Sequence, residues 1–405
     1  MSKITDLIAK YCPNGVEYKK LIEVSQILNG FAFQSSKYTN SGIRIIRISD
    51  VQKGRISDKD IKYYPFDAET EIKNYLLHEN DLVMSLTGNV GRVAMLSKEE
   101  LPAALNQRVA CVRPLENMLL TRFLFHIFDT NSFEQEAMKN SSGGGQKNLS
   151  TKWLYNYSIP IPPLSVQQEI VRILDGFSEL EKELEKELDA RKKQYEHYKD
   201  NLLSFDVSIQ KSKLIDCCDY VDYRGKTPKK TDKGIFLITA KNIKKGFIDY
   251  KTSTEYIAEE DFATVMRRGK VELGDVLITT EAPCGNVAQI DRTDVALAQR
   301  VIKYRPKNQN LDTAYLKYIL LSKQFQDELK QNSSGGTVKG IKGSKLHQIK
   351  IPIPPLEEQK RIVSILDKFD ALVNDISVGL PAELKARRKQ YEYWRNKLLD
   401  FKEAV

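Results

Sequence analysis

Read along its length, the chain alternates short β-branched runs with amphipathic helical stretches, and the order of these patterns occurs twice. Strand-like runs at 43–48, 81–86 and 92–96 are matched at 235–239, 275–279 and 286–290. Ala104-Leu105-Asn106-Gln107-Arg108-Val109 then returns as Ala296-Leu297-Ala298-Gln299-Arg300-Val301. Each copy leads into a strand that ends at an Arg-Pro pair, Arg113-Pro114 or Arg305-Pro306. Apolar positions at i, i+1, i+4 and i+5 follow: Phe123, Leu124, Ile127 and Phe128, then Tyr315, Leu316, Ile319 and Leu320. That spacing predicts a helix with one face in a core, and Asp312 is placed to cap the second copy. Each half therefore reads as mixed α+β, strands first and a packed helix later.

The repeat sharpens towards the end of each half. Ile159-Pro160-Ile161-Pro162-Pro163-Leu164 returns as Ile351-Pro352-Ile353-Pro354-Pro355-Leu356, and Ile173-Leu174-Asp175 as Ile365-Leu366-Asp367. The run 190–196 returns with one change at 386–392. Proline removes amide donors and bars helix, so each proline run is an extended segment that ends where a helix starts. In the first copy Phe177, Leu180, Leu184, Leu188, Arg191, Tyr195, Tyr198, Leu202 and Phe205 recur at threes and fours, the seam of a coiled coil. The second copy carries Leu380, Leu384, Tyr391, Trp394, Leu398 and Phe401. It has four extra residues around 376–379, about one helical turn, with Gly379 and Pro381 placed to break or kink the helix. The first helix has six acids at 179–189 and four bases at 191–199, an order that suits an antiparallel partner. The expected fold is two mixed α/β domains separated by two long helices in an antiparallel coiled coil, pseudo-two-fold and nearly circular. Its boundaries fall at 1–158, 159–206, 207–350 and 351–405.

A chain of 405 residues with 41% hydrophobic residues has room for two cores. No run approaches the roughly 18 apolar residues of a membrane helix, and the start of the chain is polar, so a cytoplasmic protein is expected. Five cysteines without a CxxC pair and four scattered histidines argue against a metal site or a disulfide framework. The net charge of +9 by itself only permits a polyanionic partner. Its distribution says more: 37–62 has seven Lys or Arg against three Asp, and the corresponding 224–251 has nine against two. Two matched basic stretches favour phosphate contact. No catalytic constellation is found. Gly225-Lys226-Thr227 lacks the glycine five residues earlier that a phosphate loop needs, since Tyr220 is there. Glu71-Ile72-Lys73 is an isolated Glu-x-Lys with nothing to support a nuclease.

The two loosely matched units, the paired proline runs each followed by Gln167 or Gln359, the Ile-Leu-Asp triplets and the two basic-Lys-Gln-Tyr-Glu helices together resemble one family over essentially the whole chain. It is the specificity subunit of Type I restriction-modification systems. The resemblance implies that each variable unit reads one half of a split sequence in double-stranded DNA. It implies that the helices set the spacing and dock two modification (methyltransferase) subunits, through which restriction and motor subunits join. It implies no catalytic site and no cofactor in this chain. Base edges need donors and acceptors on loops beside strands. On that basis the expected DNA-binding residues of the first unit are Lys37, Tyr38, Arg44, Arg47, Ser49, Asp50, Asn89, Arg92, Gln107 and Arg108, with Ser141, Ser142, Gln146 and Lys147 beside glycines. In the second they are Tyr223, Arg224, Lys226, Lys229, Lys230, Lys241, Asn242, Asn286, Gln299 and Arg300, with Ser333, Ser334, Thr337 and Lys339. The expected coiled-coil residues are Leu180, Leu184, Leu188, Tyr195, Leu202, Leu384, Tyr391, Trp394 and Leu398. Two other readings compete: a restriction-enzyme component with its own hydrolytic site, and a basic coiled-coil interaction protein.

Overall fold

The computed structural model describes residues 2–115, 117–206, 208–223, 228–335, 339–375 and 377–404. The chain divides into two compact units, Met1–Glu185 with Leu384–Val405, and Lys186–Glu383. The division passes through the helical connectors instead of between connector and domain, because each connector segment packs into the core of the unit it touches.

The first unit is built on an antiparallel sheet in the order Ser25–Asn29, Val109–Pro114, Leu82–Ser85, Val93–Met95. A second sheet pairs Ile43–Ile46 in parallel with Ala103–Leu105 and carries Tyr63–Tyr64 and Leu76–Leu77 at its edges. The strands Ile43–Ile46 and Leu82–Ser85 are buried at every position, as strands covered on both faces must be. Asp81 ties the sheet together: it takes Arg113 Nε and Nη2 at 2.7 and 2.6 Å and the His78 amide at 2.8 Å. The second unit repeats the antiparallel sheet with Cys218–Asp222, Val301–Pro306, Val276–Thr280 and Cys284–Gln289. It repeats the parallel pair with Ile235–Ile238 and Val295–Leu297. Asp275 and Arg305 take the places of Asp81 and Arg113, with two bonds of 2.7 Å.

The repeated motifs of the connectors are joints. Gln167 is fully buried; it accepts from the Leu120 amide and donates to the carbonyls of Met118 and Pro162, all at 2.8–2.9 Å. Gln359 does the same with the Asp312 amide and the carbonyls of Asn310 and Pro354, at 2.8 Å. Each glutamine thus satisfies the amide that opens the packed helix and the carbonyls that flank it. The aspartate of each Ile-Leu-Asp triplet ties that helix to the connector. Asp175 meets Arg122 Nε at 2.7 Å and His126 Nε2 at 2.8 Å, while Asp367 accepts from the Tyr318 hydroxyl at 2.5 Å.

The first connector is one helix, Leu164–Leu202, of 39 residues, longer than its apolar repeat suggested because it starts directly at the end of the proline run. The second is two helices, Leu356–Asn374 and Leu380–Leu399. Asp375 accepts from the amide and hydroxyl of Ser377, a turn that competes with helix. A Cβ on Gly379 would lie 2.3 Å from the Ala371 carbonyl oxygen, so the break requires glycine. Pro381 sits in the first turn of the new helix, where its missing amide costs nothing.

Within the first unit, the early part of the long helix runs antiparallel to Leu380–Leu399: Phe177 stacks near Tyr391 (6.2 Å between ring centres), and Glu181 and Glu185 hold Arg388 at 2.6 and 2.5 Å. Leu384 and Leu398 are buried and Leu184, Tyr391 and Trp394 half-buried. Leu180, expected in the seam, is exposed; the inward place one residue on is taken by Glu181, because Arg388 rather than an apolar side chain faces it. Within the second unit, Leu188 and Tyr195 are buried, Leu202 half-buried, and Tyr195 and Tyr198 pack on Phe369 at 6.3 and 5.3 Å.

Candidate nucleic-acid interface

In each unit three loops are laced together at one end of the antiparallel sheet. In the first, the Leu86 amide donates to the Arg108 carbonyl at 2.8 Å, joining the end of the strand Leu82–Ser85 to the Gln107-Arg108 turn. The Leu149 amide donates to the Leu86 carbonyl at 2.7 Å and the Gly88 amide to the Lys147 carbonyl at 2.9 Å, which brings in the glycine-rich loop. That loop is closed by paired bonds between Ser142 and Asn148, at 2.9 and 2.8 Å. Gly143 lets it close: at φ +107° a Cβ would lie 2.4 Å from the Gln146 carbonyl oxygen. The Thr87 hydroxyl donates to Asn148 Oδ1 at 2.7 Å.

The second unit repeats the lacing. The Thr280 amide donates to the Arg300 carbonyl and the Ile341 amide to the Thr280 carbonyl, both at 2.9 Å; Ser334 and Gly340 exchange bonds of 2.9 and 3.0 Å. The rim encloses a cleft of about 450 Å³ lined by Thr280, Glu281, Gln299, Arg300, Ser334, Gly340, Ile341 and Lys342. Thr87 is bridged to Asn148 in the first unit as Glu281 is bridged to Gly340 in the second, so Thr87 and Glu281 are equivalent positions, as are Asn148 and Gly340.

Arg108 and Arg300 share an unusual backbone, with φ of +67° and +72°. The left-handed region costs a side-chain-bearing residue about 1–2 kcal/mol. It occurs at the same exposed turn in both units, where the carbonyl of each arginine accepts from the end of the neighbouring strand.

Of the expected residues, the structure brings Asn89, Gln107, Arg108, Ser141, Ser142, Gln146 and Lys147 onto the first rim, all exposed except half-buried Ser141, whose hydroxyl donates to the Met138 carbonyl at 2.6 Å. It brings Gln299, Arg300, Ser333, Ser334 and Lys339 onto the second, with the Ser333 hydroxyl donating to the Leu329 carbonyl at 2.7 Å. Arg224, Lys226 and Thr337 lie outside the described residues.

A second group is engaged by the protein's own polar groups. Buried Arg44 donates to the Ser57 carbonyl and Asp58 at 3.0 and 2.9 Å. Burial works against the charge of Arg47, but Asp50 and Asp60 outweigh it and hold the guanidinium above its ordinary pKa. Asp50 is buried and also accepts from the Arg47 amide and the Ser49 hydroxyl, at 2.9 and 3.1 Å. Asn242 has the same place in the second unit: fully buried, it accepts from the amide and hydroxyl of Thr239 and donates to the Asp249 and Ser253 carbonyls. The Tyr223 hydroxyl donates to the Gly269 carbonyl at 2.6 Å, Arg92 to Gln52 at 2.8 Å, and Asn286 to the Ile243 carbonyl at 2.8 Å. Lys230 pairs with Glu255 at 2.7 Å. Lys37, Lys229 and Lys241 are exposed; half-buried Tyr38 packs edge-on to Tyr64. The sequence reading missed Glu281, Lys342 and Asn148. The positions just after each glycine-rich loop carried the signal for the last two; nothing in the local pattern singled out Glu281.

The Type I restriction modification DNA specificity domain matches this chain twice, at residues 13–190 and 207–386. The EcoR124I/EcoR124II specificity subunit of Escherichia coli is 37% identical over 281 residues, 62% of this chain and 65% of that subunit, just under two thirds of its length. A putative type I specificity subunit of Haemophilus influenzae is 31% identical over 412 residues, 95% of this chain and 96% of that one. Among solved structures, a chain from a study of assembly and conformational transition of the type I R-M system aligns with TM-score 0.61 at 18% identity, covering 96% of this chain and 98% of that one. An S subunit from M. genitalium aligns at 0.55 and 15%, over 95% and 96% of the two chains. The two matches of the family model together span most of the chain, which therefore belongs to the Type I restriction-modification DNA specificity family.

Proposed function

We propose that this chain is the DNA-reading subunit of a Type I restriction-modification complex, in which each unit reads one half of a bipartite duplex site. The connector helices set the gap between the halves and dock two methyltransferase subunits, through which restriction subunits join. The chain's part is recognition, with no cofactor of its own; a component with its own hydrolytic site finds no support in the family match. The observation that carries this reading is the duplicated rim, where a strained, exposed arginine and a laced glycine-rich loop sit at the same sheet end in both units. Polar groups on stiff loops are what base edges and phosphates require. The rim residues Asn89, Gln107, Arg108, Ser142, Gln146 and Lys147, with Gln299, Arg300, Ser334 and Lys339, make the contacts. The buried or internally bonded Arg44, Arg47, Asp50, Tyr223 and Asn242 shape the loops beneath them. We place the recognition domains at 1–158 and 207–350, with connectors at 159–206 and 351–405. No described helix is long and apolar enough to cross a membrane, and the site of action in this reading is the cytoplasm.

The test is to co-express the chain with a cognate methyltransferase and map methylated adenines across the host genome. A single split motif with a constant gap is expected. No new methylation, with the methyltransferase shown to be bound, would remove the reading.

A further inference from the structure

We infer that Glu281 is a buttress for Arg300, and that the pair is a base-reading element of the second unit, whereas the matching Arg108 of the first unit is a phosphate-binding arginine. The inference rests on the DNA-reading role proposed above and divides the labour within it.

The two arginines share a backbone, a turn and a hydrogen bond from the preceding strand, and differ in their neighbours. Glu281 Oε2 lies 3.0 Å from Arg300 Nε, with about half of each side chain exposed (41% and 51%). In the first unit the place of Glu281 is held by Thr87, which is buried and bonded to Asn148. Among the described residues, no side-chain bond or ion pair engages the Arg108 guanidinium.

A carboxylate on Nε has three consequences for Arg300. It limits the side chain to few rotamers, so less entropy is lost on contact. It offsets the charge, which weakens attraction to phosphates generally. It leaves the two terminal amino groups free as a parallel pair of donors, the edge that fits O6 and N7 of guanine. The cleft beside it is lined by the exposed Ser334 and Lys342, which supply further donors at the same rim. Arg108 has none of this restraint: an exposed, uncompensated cation on a stiff turn fits a phosphate, which any sequence offers.

The experiment uses the chain co-purified with its modification subunits. Its probes are a duplex carrying the split motif that the complex methylates and a scrambled duplex of equal length, compared over a salt series. Glu281→Thr, which installs the first unit's residue, and the isosteric Glu281→Gln should each lower the motif-to-scrambled affinity ratio about tenfold. Both should relax one position in the second half of the motif and leave scrambled binding unchanged or stronger. Arg300→Lys, which keeps the charge and loses the paired donors, should relax the same position. Arg108→Ala should weaken both duplexes alike and reduce the salt slope by about one. Equal losses on both duplexes for the Glu281 and Arg300 variants, or no effect from any of them, would overturn the inference while leaving the DNA-reading role in place. A wild-type complex that methylates no split motif removes that role before any variant is compared. If an Arg300 variant misfolds, Glu281→Gln decides alone, since its shape is unchanged.

Discussion

The two units grip their connectors at the same places with different chemistry. In the first, the contact is charged. Arg395 from the C-terminal helix donates to Asp129 at 2.6 Å, with side chains only 4% and 12% exposed, and Asp129 Oδ1 and Arg395 Nε have no hydrogen-bond partner. Beside them fully buried His126 bonds Asp175 through Nε2 and meets the Tyr391 hydroxyl at Nδ1, 3.3 Å away. In the second unit the register places Leu321 where Asp129 stands and Tyr318 where His126 stands. There the Tyr318 hydroxyl satisfies Asp367 without a titrating ring, and Lys199, which matches Arg395, lies over Tyr195. The position of the buried Asp129 carboxylate thus carries half-buried Leu321 in the second unit, and the lysine that replaces Arg395 pairs along its own helix with Glu196 at 2.5 Å. A buried pair with unmatched atoms adds little net stability but is costly to break, whereas the apolar version has no such sensitivity.

Breaking the pair has the largest expected effect. Arg395→Ala strands the Asp129 carboxylate and should destabilise the first unit by about 3–5 kcal/mol. Joint replacement of Asp129 and Arg395 by leucine should be neutral or stabilising. Thermal and urea unfolding of the three proteins checks this, and a double variant as damaged as the single would show that the charges are needed. Next come the glutamine joints, which are alike in both units. Gln167→Leu and Gln359→Leu each leave one amide and two carbonyls unpaired and should cost about 2–4 kcal/mol. Hydrogen exchange should show the loss confined to the unit mutated.

The third expectation concerns pH. Burial holds the His126 pKa below its ordinary value. Its contribution is therefore present above the unfolded value of about 6.5 and is lost as pH falls through the folded value, by up to about 1.4 kcal/mol per pH unit. Burial raises the pKa of Asp175, but the hydrogen bonds from His126 and Arg122 outweigh it and hold the carboxyl below its usual range, so its contribution fails only in more acidic solution. The protection factors of amides in the helix Thr121–Phe128, corrected for the intrinsic pH dependence of exchange, should fall as pH drops below about 6.5, while those of Thr313–Leu321 hold. His126→Tyr, the second unit's residue, should remove the difference. The smallest effect is at Leu180: exposed and off the seam, Leu180→Ala should change stability by less than about 0.5 kcal/mol. Buried Leu188→Ala should cost about 2–5 kcal/mol, a contrast that urea midpoints resolve.

Much of the fold is legible in the sequence because it is written twice. Local patterning alone located the strands that became Ile43–Ile46 and Leu82–Ser85, the packed helix at Thr121–Phe128 and the proline runs that start both connectors. The Gln107-Arg108 and Gln299-Arg300 turns were visible as repeated residues. Their left-handed backbone was not, because φ depends on the carbonyls that capture the turn from another strand. Leu180 and Glu181 show the limit of periodicity: neighbours on one helix compete for an inward place, and the opposing side chain, here Arg388, decides between them.

By itself the sequence determined the duplication, the mixed α+β class, the helical connectors and the kinship of the chain, since each rests on residue spacing and composition that no folding is needed to read. Only the tertiary structure decided which basic residues are spoken for. Arg47 and Arg108 are equally basic on paper, yet Asp50 and Asp60 hold the first, while among the described residues the second has no side-chain partner. A charge is available to DNA according to what surrounds it, and the surroundings of a loop come from segments distant in the chain.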